Sequence, residues 1–275
     1  MLRSMFSGVS GLRAHQTMMD VTGNNIANVN TTGYKTTRAS FQEALTQVVR
    51  GATGADLAEA RGGVNPFQMG LGSQVAGVDG VFTQGASQLT GRALDVAVQG
   101  DGFLVVNSNG TQMYTRAGAL GFDANGKLVG PAGEVVQGWN MTDARTAGAE
   151  TDLRIENLET YTDLAIGADG TITGRDLTGE VVLGQLALAT FNNPGGLTRV
   201  GGSLYAASGN SGGAQVGTAG TDARGSLQAG TLEMSNVELA AEFTNLILAQ
   251  RGFQANSRII TASDEILQDL VNLKR

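Results

Sequence analysis

The segment Gly209-Asn210-Ser211-Gly212-Gly213 has the texture in which a serine protease holds its nucleophile, and a serine used that way needs an imidazole base steadied by a carboxylate. The chain has one histidine, His15, and it falls within a helical pattern near the N-terminus. The segment is therefore read as a flexible Gly/Ser loop, and His15 as a solvated or interface helix residue. Asp152 with Glu156, or Glu159 with Asp163, could supply the acid and base of glycoside cleavage. Nothing in the sequence brings either pair to a common point, and a solvated acidic surface is the simpler reading. No Gly-Lys-Ser/Thr phosphate loop, dinucleotide fingerprint or calcium loop is present, and Asp169-Gly170 alone is a turn. The absence of cysteine excludes thiol catalysis, disulfides and cysteine-based zinc sites. These residues predict a protein that is not an enzyme and has no cofactor or metal.

Composition narrows the remaining classes. A length of 275 residues predicts two or three packed units. Glycine supplies 41 residues, about twice the roughly 7% average usage, whereas proline supplies three, which points to many turns rather than to a collagen or a proline-rich linker. The net charge of −7 argues against a nucleic-acid partner. Residues 1–42 nevertheless hold Arg3, Arg13, Lys35 and Arg38 against Asp20 alone, a local +3 that leaves −10 elsewhere. A presequence is a competing account of the first nineteen residues, disfavoured by their two arginines. No apolar run approaches the ~18 residues of a membrane span, and the N-terminus lacks the apolar core of a cleavable signal, so no membrane insertion is expected.

The elements that would position any surface are clearest at the two ends. Ser235 to Leu273 reads as one helix, about 58 Å long at 1.5 Å per residue, with Ser235 and Glu238 placed for a reciprocal capping box. Leu246, Phe253, Ile260 and Leu267 recur at steps of seven beside Ile259, Ile266 and Leu273, which makes one broad apolar stripe. Leu2, Met5, Val9, Leu12, Met19 and Ile26 form the candidate partner row on an N-terminal helix, so the termini are predicted to pair as a coiled coil. Phe243, Phe253, Met5, Met18 and Met19 could line a ligand groove, but at helical spacing they read as packing residues, and the partner could be another copy of the chain.

Between the ends, Phe41–Val49 is predicted as a short second helix capped by Ser40. Leu94–Val98 and Phe103–Val106 are predicted to form a hairpin across Gly100-Asp101-Gly102. Tight turns are expected at Asn109-Gly110, Asn125-Gly126 and Asp169-Gly170. The predicted fold is mixed α and β. Residues 1–29 with 235–275 form a helical core, 30–91 with 209–234 form extended Gly-rich connectors, and 92–208 form a mainly antiparallel β sandwich or barrel.

Certain residues go beyond pattern. Ser7-Gly8-Val9-Ser10-Gly11-Leu12, Met19-Asp20-Val21, Gly23-Asn24-Asn25-Ile26-Ala27-Asn28 and Thr32-Gly33-Tyr34-Lys35 resemble the N-terminal signature of bacterial flagellar rod and hook proteins. Ser235–Leu239, Gln250-Arg251-Gly252-Phe253-Gln254-Ala255-Asn256-Ser257 and Val271–Arg275 resemble the same family's C-terminal signature. Gly91-Arg92, Leu94–Ala97, Tyr114–Gly118 and Asn193–Leu197 agree in the middle. Within the family the chain is most similar to short hook proteins, with the distal rod protein as runner-up.

That resemblance implies a structural subunit, exported through the flagellar type III channel without a cleaved signal, which polymerises into a helical tube around that channel. Implied partners are copies of the chain itself, the hook cap, distal rod and hook–filament junction proteins, and the export apparatus. Leu2, Met5, Val9, Leu12, Met19, Ile26, Phe243, Leu246, Phe253, Ile260, Leu267 and Leu270 are the expected assembly residues. In a hook, the Gly-rich connectors are expected to let the β domain shift while the tube bends.

Overall fold

The computed structural model describes residues 2–54, 62–140, 150–155, 158–177 and 179–273; for Leu2 and Leu270 it describes the backbone alone. The chain divides into two compact units. One comprises Met1–Ile26, Thr37–Asp79 and Glu238–Arg275, and the other Ala27–Thr36 and Gly80–Val237.

The first unit holds two long helices, α1 (Leu2–Ala27) and α2 (Leu239–Asn272). α2 begins four residues later than expected, and no capping box forms. Glu238 is still extended at φ −98° with no side-chain cap bond, and Ser235 accepts from the Val237 amide in a local turn instead. Residues 41–49 are not a helix. They belong to β1 (Thr37–Glu43) and β2 (Thr46–Arg50), which pair with β4 (Ser73–Gly80) and β3 (Phe67–Gly70), respectively. A short apolar run is ambiguous by periodicity, and β-branched Thr46, Val48 and Val49 suit a pleated surface once partner strands arrive from further along the chain. Parts of the stretch expected as an extended connector are thus paired as strands.

The second unit is built on β5 (Ser87–Leu89), β6 (Val96–Gln99), β7 (Phe103–Ser108), β8 (Thr111–Thr115), β9 (Gly121–Phe122), β10 (Leu128–Val129) and β11 (Val135–Asn140). It continues with β12 (Thr151–Asp152), β13 (Thr162–Ile166), β14 (Thr171–Asp176), β15 (Gly179–Leu186), β16 (Leu188–Thr190), β17 (Thr198–Gly201) and β18 (Leu204–Ala206). β19 (Gln215–Gly217), β20 (Ser226–Ala229) and β21 (Thr231–Glu233) complete it. The main sheet is antiparallel in the order β13-β14-β15-β11-β7-β8-β18-β17, with β16 also on β7. Asn109 and Gly110, at φ 52° and 81°, make the expected two-residue turn between β7 and β8.

β7 explains why its sequence reads as a continuous apolar run. Leu104 and Val106 enter one core cluster with Val136, Leu186 and Leu188, while Phe103 and Val105 enter another with Tyr114, Trp139 and Tyr205. Both faces of the strand are covered. The expected hairpin between 94–98 and 103–106 does not form. Val96 and Val98 share a core cluster with Leu104 and Val106, and β6 takes its backbone partner from β20. The positive φ of Gly100 (99°) and Gly102 (140°) carries the chain between those positions. Residues 209–230, also expected as a connector, supply β19 and β20 to this unit.

Candidate assembly surface

The tightest contact between α1 and α2 is made by small residues. A methyl group built on Gly8 would lie 3.4 Å from Ile260 Cγ1, and one on Gly11 would lie 2.9 Å from the Asn256 amide. One on Gly252 would collide with the His15 ring. The pairs run antiparallel, 8 with 260, 11 with 256 and 15 with 252. The buried positions of the helices agree: Gly8, Gly11, Ala14, Thr22 and Asn25 on α1, and Ala249 and Ser263 on α2.

The apolar rows flank this seam. At about 100° per residue, the row Leu246-Phe253-Ile260-Leu267 lies roughly 60° to one side of Ala249-Asn256-Ser263, and the row Ile259-Ile266-Leu273 roughly 60° to the other. The first row is half-buried. The second stays open, with Ile266 50% and Leu273 82% exposed, as does Phe243 at 51%. On α1, Met5, Val9, Leu12, Met19 and Ile26 are half-buried, one position round from the close contacts, and Phe6 is 71% exposed. Phe6, Val9, Arg13 and Ala14 face Val75 of β4 across an open groove of about 390 Å³. The β2–β3 pair is exposed along its length, with Val48 and Phe67 more than half open, as is Leu45 just before β2.

Of the expected motif residues, Asn25 has a defined task. Its Oδ1 accepts from the Thr37 amide at 3.0 Å and the Thr37 hydroxyl at 3.2 Å, while its Nδ2 donates to the Thr37 carbonyl at 2.8 Å and to Glu242 Oε1 at 3.1 Å. One buried amide thus ties α1, β1 and α2 together. Burial, chiefly, raises the Glu242 pKa above the ordinary carboxylate range, opposed by hydrogen bonds from Asn25 and Thr22. Asn24, Ala27, Gln250 and Arg251 are exposed, whereas Ile26, Asn28 and Phe253 are half-buried.

Gly33, Tyr34 and Lys35 serve the second unit. Lys35 is fully buried, and its Nζ donates to Glu233 Oε1 at 2.6 Å and to the Thr83 carbonyl at 2.8 Å. Glu233, also fully buried, accepts from Arg116 at 3.2 Å and from the Gly85 amide at 2.9 Å. Desolvation lowers the Lys35 pKa, with the bond and attraction of Glu233 acting against it. Arg199 donates to the Lys35 carbonyl and lies 5.1 Å from the Tyr34 ring centre. Gly33, at φ 67°, donates to the Glu233 carbonyl, and a methyl group there would stand 2.6 Å from the Arg116–Ala117 backbone. Only glycine fits that position.

The groups weighed as catalytic are occupied elsewhere. Ser211 is buried and donates to the carbonyls of Ser208 and Gly212 inside its own loop. Asp152 pairs with Lys127 at 3.1 Å and accepts from Asn107, and Glu159 sits exposed in a 3-10 turn; Glu156 lies outside the described residues. Among the described residues no group of three or more His, Asp or Glu could hold a metal ion, and no helix is long and apolar enough to cross a membrane.

Sequence comparison places these parts in one family. The flagella basal body rod protein family matches residues 5–35, the flagellar hook protein FlgE/F/G D1 domain matches 97–174, and the flagellar basal body rod FlgEFG protein C-terminal family matches 228–273. The flagellar basal-body rod protein FlgG of Bacillus subtilis is 45% identical over 282 positions, with both chains covered end to end. FlgG of Borreliella burgdorferi is 36% identical over 279 positions, again with full coverage of both. The flagellar hook protein FlgE of the same organism is 30% identical with full coverage, but across 443 positions, so that relative is longer by insertion. Matched at both ends and in the middle, the chain belongs to the flagellar rod and hook protein family, whose members are structural proteins of the bacterial flagellum and not enzymes.

Proposed function

We propose that the chain is a subunit of the basal-body rod, with the hook as the second reading. This reverses the order expected from sequence. The carrying observation is length: the FlgG relatives align end to end in 279 and 282 positions, whereas the Borreliella hook protein needs 443. The pairing of β1 with β4 and of β2 with β3 also favours a stiff, straight tube over one that flexes through loose connectors.

Polymerisation is driven by the open apolar surface of the helical unit. Phe6, Phe243, Ile247, Leu248, Ile259 and Ile266 are 45–71% exposed in the isolated chain, and head-to-tail contacts with further copies bury them. A contact that does not close into a ring extends as a helical tube. Neighbouring rod, hook, cap and junction proteins meet the tube at its ends, and the flagellar export apparatus delivers the subunits.

The test is to supply the gene to a strain lacking its rod subunit and to one lacking its hook subunit, then image isolated basal bodies by electron microscopy. Restoration of the rod alone is the expected result. Restoration of a curved hook alone would overturn it in favour of the second reading.

A further inference from the structure

We infer that His15 is the register key of the helical unit, a side chain seated in the slot that Gly252 leaves on α2 and required there for α1 and α2 to pair in one alignment. The ring occupies the space a side chain at 252 would need, and the Phe41 ring of β1 lies tilted beside it with ring centres 6.3 Å apart. Its Nδ1 is buried with no hydrogen-bond partner. Shape, then, holds the ring in place.

The three contacts form a code of sizes. Along α1 the facing residues run Gly8, Gly11, His15, and along α2 they run Ile260, Asn256, Gly252, so each large group meets a missing one. A one-turn slip that brings His15 opposite Asn256 sets two side chains into space that holds one. The opposite slip sets Gly11 against Gly252 and leaves a void, which forfeits contact energy. Asn256 is itself fixed, because its Nδ2 donates to the Gly252 carbonyl at 2.9 Å. Asn25, which donates to Glu242 across the pair, holds the same alignment further along the helices, and the size code holds it here.

The experiment is a double-mutant cycle on the full chain, followed by the melting midpoint of the helical signal. Gly→Ala inside a helix ordinarily stabilises it. Here Gly252→Ala should lower the midpoint by about 2–4 °C or more, because the new methyl group meets the ring. In a His15→Ala background the same Gly252→Ala change should raise the midpoint. A stabilising Gly252→Ala in both backgrounds, or a destabilising one in both, overturns the inference.

Register itself is read by oxidising a Gly11→Cys/Asn256→Cys pair, which is clean because the chain has no cysteine. Cross-linking should be high in the parent, fall on adding Gly252→Ala, and return on adding His15→Ala; an unchanged yield throughout counts against the key. The bearing on assembly rests on the rod reading, since a slipped pair presents its apolar rows out of place and should form no tubes. A coupled cycle in a chain that rescues neither strain would leave the key standing and the rod reading refuted.

Discussion

β7 buries Phe103, Leu104, Val105 and Val106 to 2% exposure or less, with both of its faces packed inside its own unit. On α2, Phe243, Ile247, Leu248, Ile259 and Ile266 are as apolar and remain 45–58% exposed. One unit packs β7 on both faces and closes around a buried ionic node, while the other keeps a tight small-residue seam at its centre and leaves its large residues to either side. A helix pair that needed only its own stability would turn those rows inward. The difference is what the proposed polymer contact would use, and substitutions in the two units should fail in different ways.

The sharpest contrast comes from Leu246→Asp or Phe253→Asp. Each places a charge in a half-covered apolar row, so the isolated chain tolerates it at a cost of about 1–3 kcal/mol, but a polymer that must dry the same position does not. We expect loss of tube formation by electron microscopy with the β unit's near-ultraviolet spectrum unchanged. Normal tubes from both variants would erase the distinction between the units.

In the β unit the matching break is Glu233→Ala, which strands Lys35 and Arg116 as buried cations and should cost about 3–5 kcal/mol in denaturant unfolding. Lys35→Met should cost less, because it leaves Arg116 and Glu233 paired. It should also change the response to pH. The folded Lys35 pKa lies below 10.5, so the unfolded chain holds the proton to higher pH and parent stability rises from the folded pKa towards 10.5. Lys35→Met should remove that rise. The window is best read below pH 10, since the raised pKa values of buried Tyr114 and Tyr205 lower stability above it.

Next in size is Gly33→Ala. It forces a side chain into a left-handed position facing the Arg116–Ala117 backbone, and about 1–3 kcal/mol of β-unit stability should be lost. Gly23→Ala is the control. Apart from its chain neighbours and the backbone of its own helix, no atom lies within 4 Å of the methyl group it adds inside α1, so it should be neutral or stabilising.

What the sequence made legible was local. The two helices follow from apolar periodicity over many turns, and the β7–β8 hairpin from Asn109-Gly110, because both signals are contained in the segment that folds. Pairings between distant segments were not readable. β6 joins β20, not the adjacent β7, and Lys35 meets Glu233 across 198 residues. Phe41–Val49 looked helical because a nine-residue apolar pattern cannot announce the strands that arrive from residues 67–80. The candidate assembly surface was half legible. The large residues stood out by spacing, whereas Gly8, Gly11 and Gly252 signal only that something approaches closely, without saying what. The one available clue was their cost, since a helix interior carries glycine at a loss unless a neighbour needs the room.

The smallest effect concerns Glu242, where the two units' strategies come closest, because it is a partly covered carboxylate bonded to buried Asn25 within the open unit. Its folded pKa is raised above 4.5, so the folded unit keeps a proton that the unfolded chain has released. The contribution of Glu242 to helical stability is therefore fully present below pH 4.5 and is lost as pH rises through the folded pKa. Glu242→Gln retains an oxygen for Asn25 and cannot ionise, so its melting midpoint should lack that fall and equal or exceed the parent's at neutral pH. One term acts the other way: a negative charge in the first turn of α2 favours the helix, by typically 0.3–1 kcal/mol at an exposed site. A variant with a lower midpoint and an undiminished slope would mean that the first-turn charge outweighs burial, and that this junction is electrostatically closer to the solvated rows beside it than to the buried node.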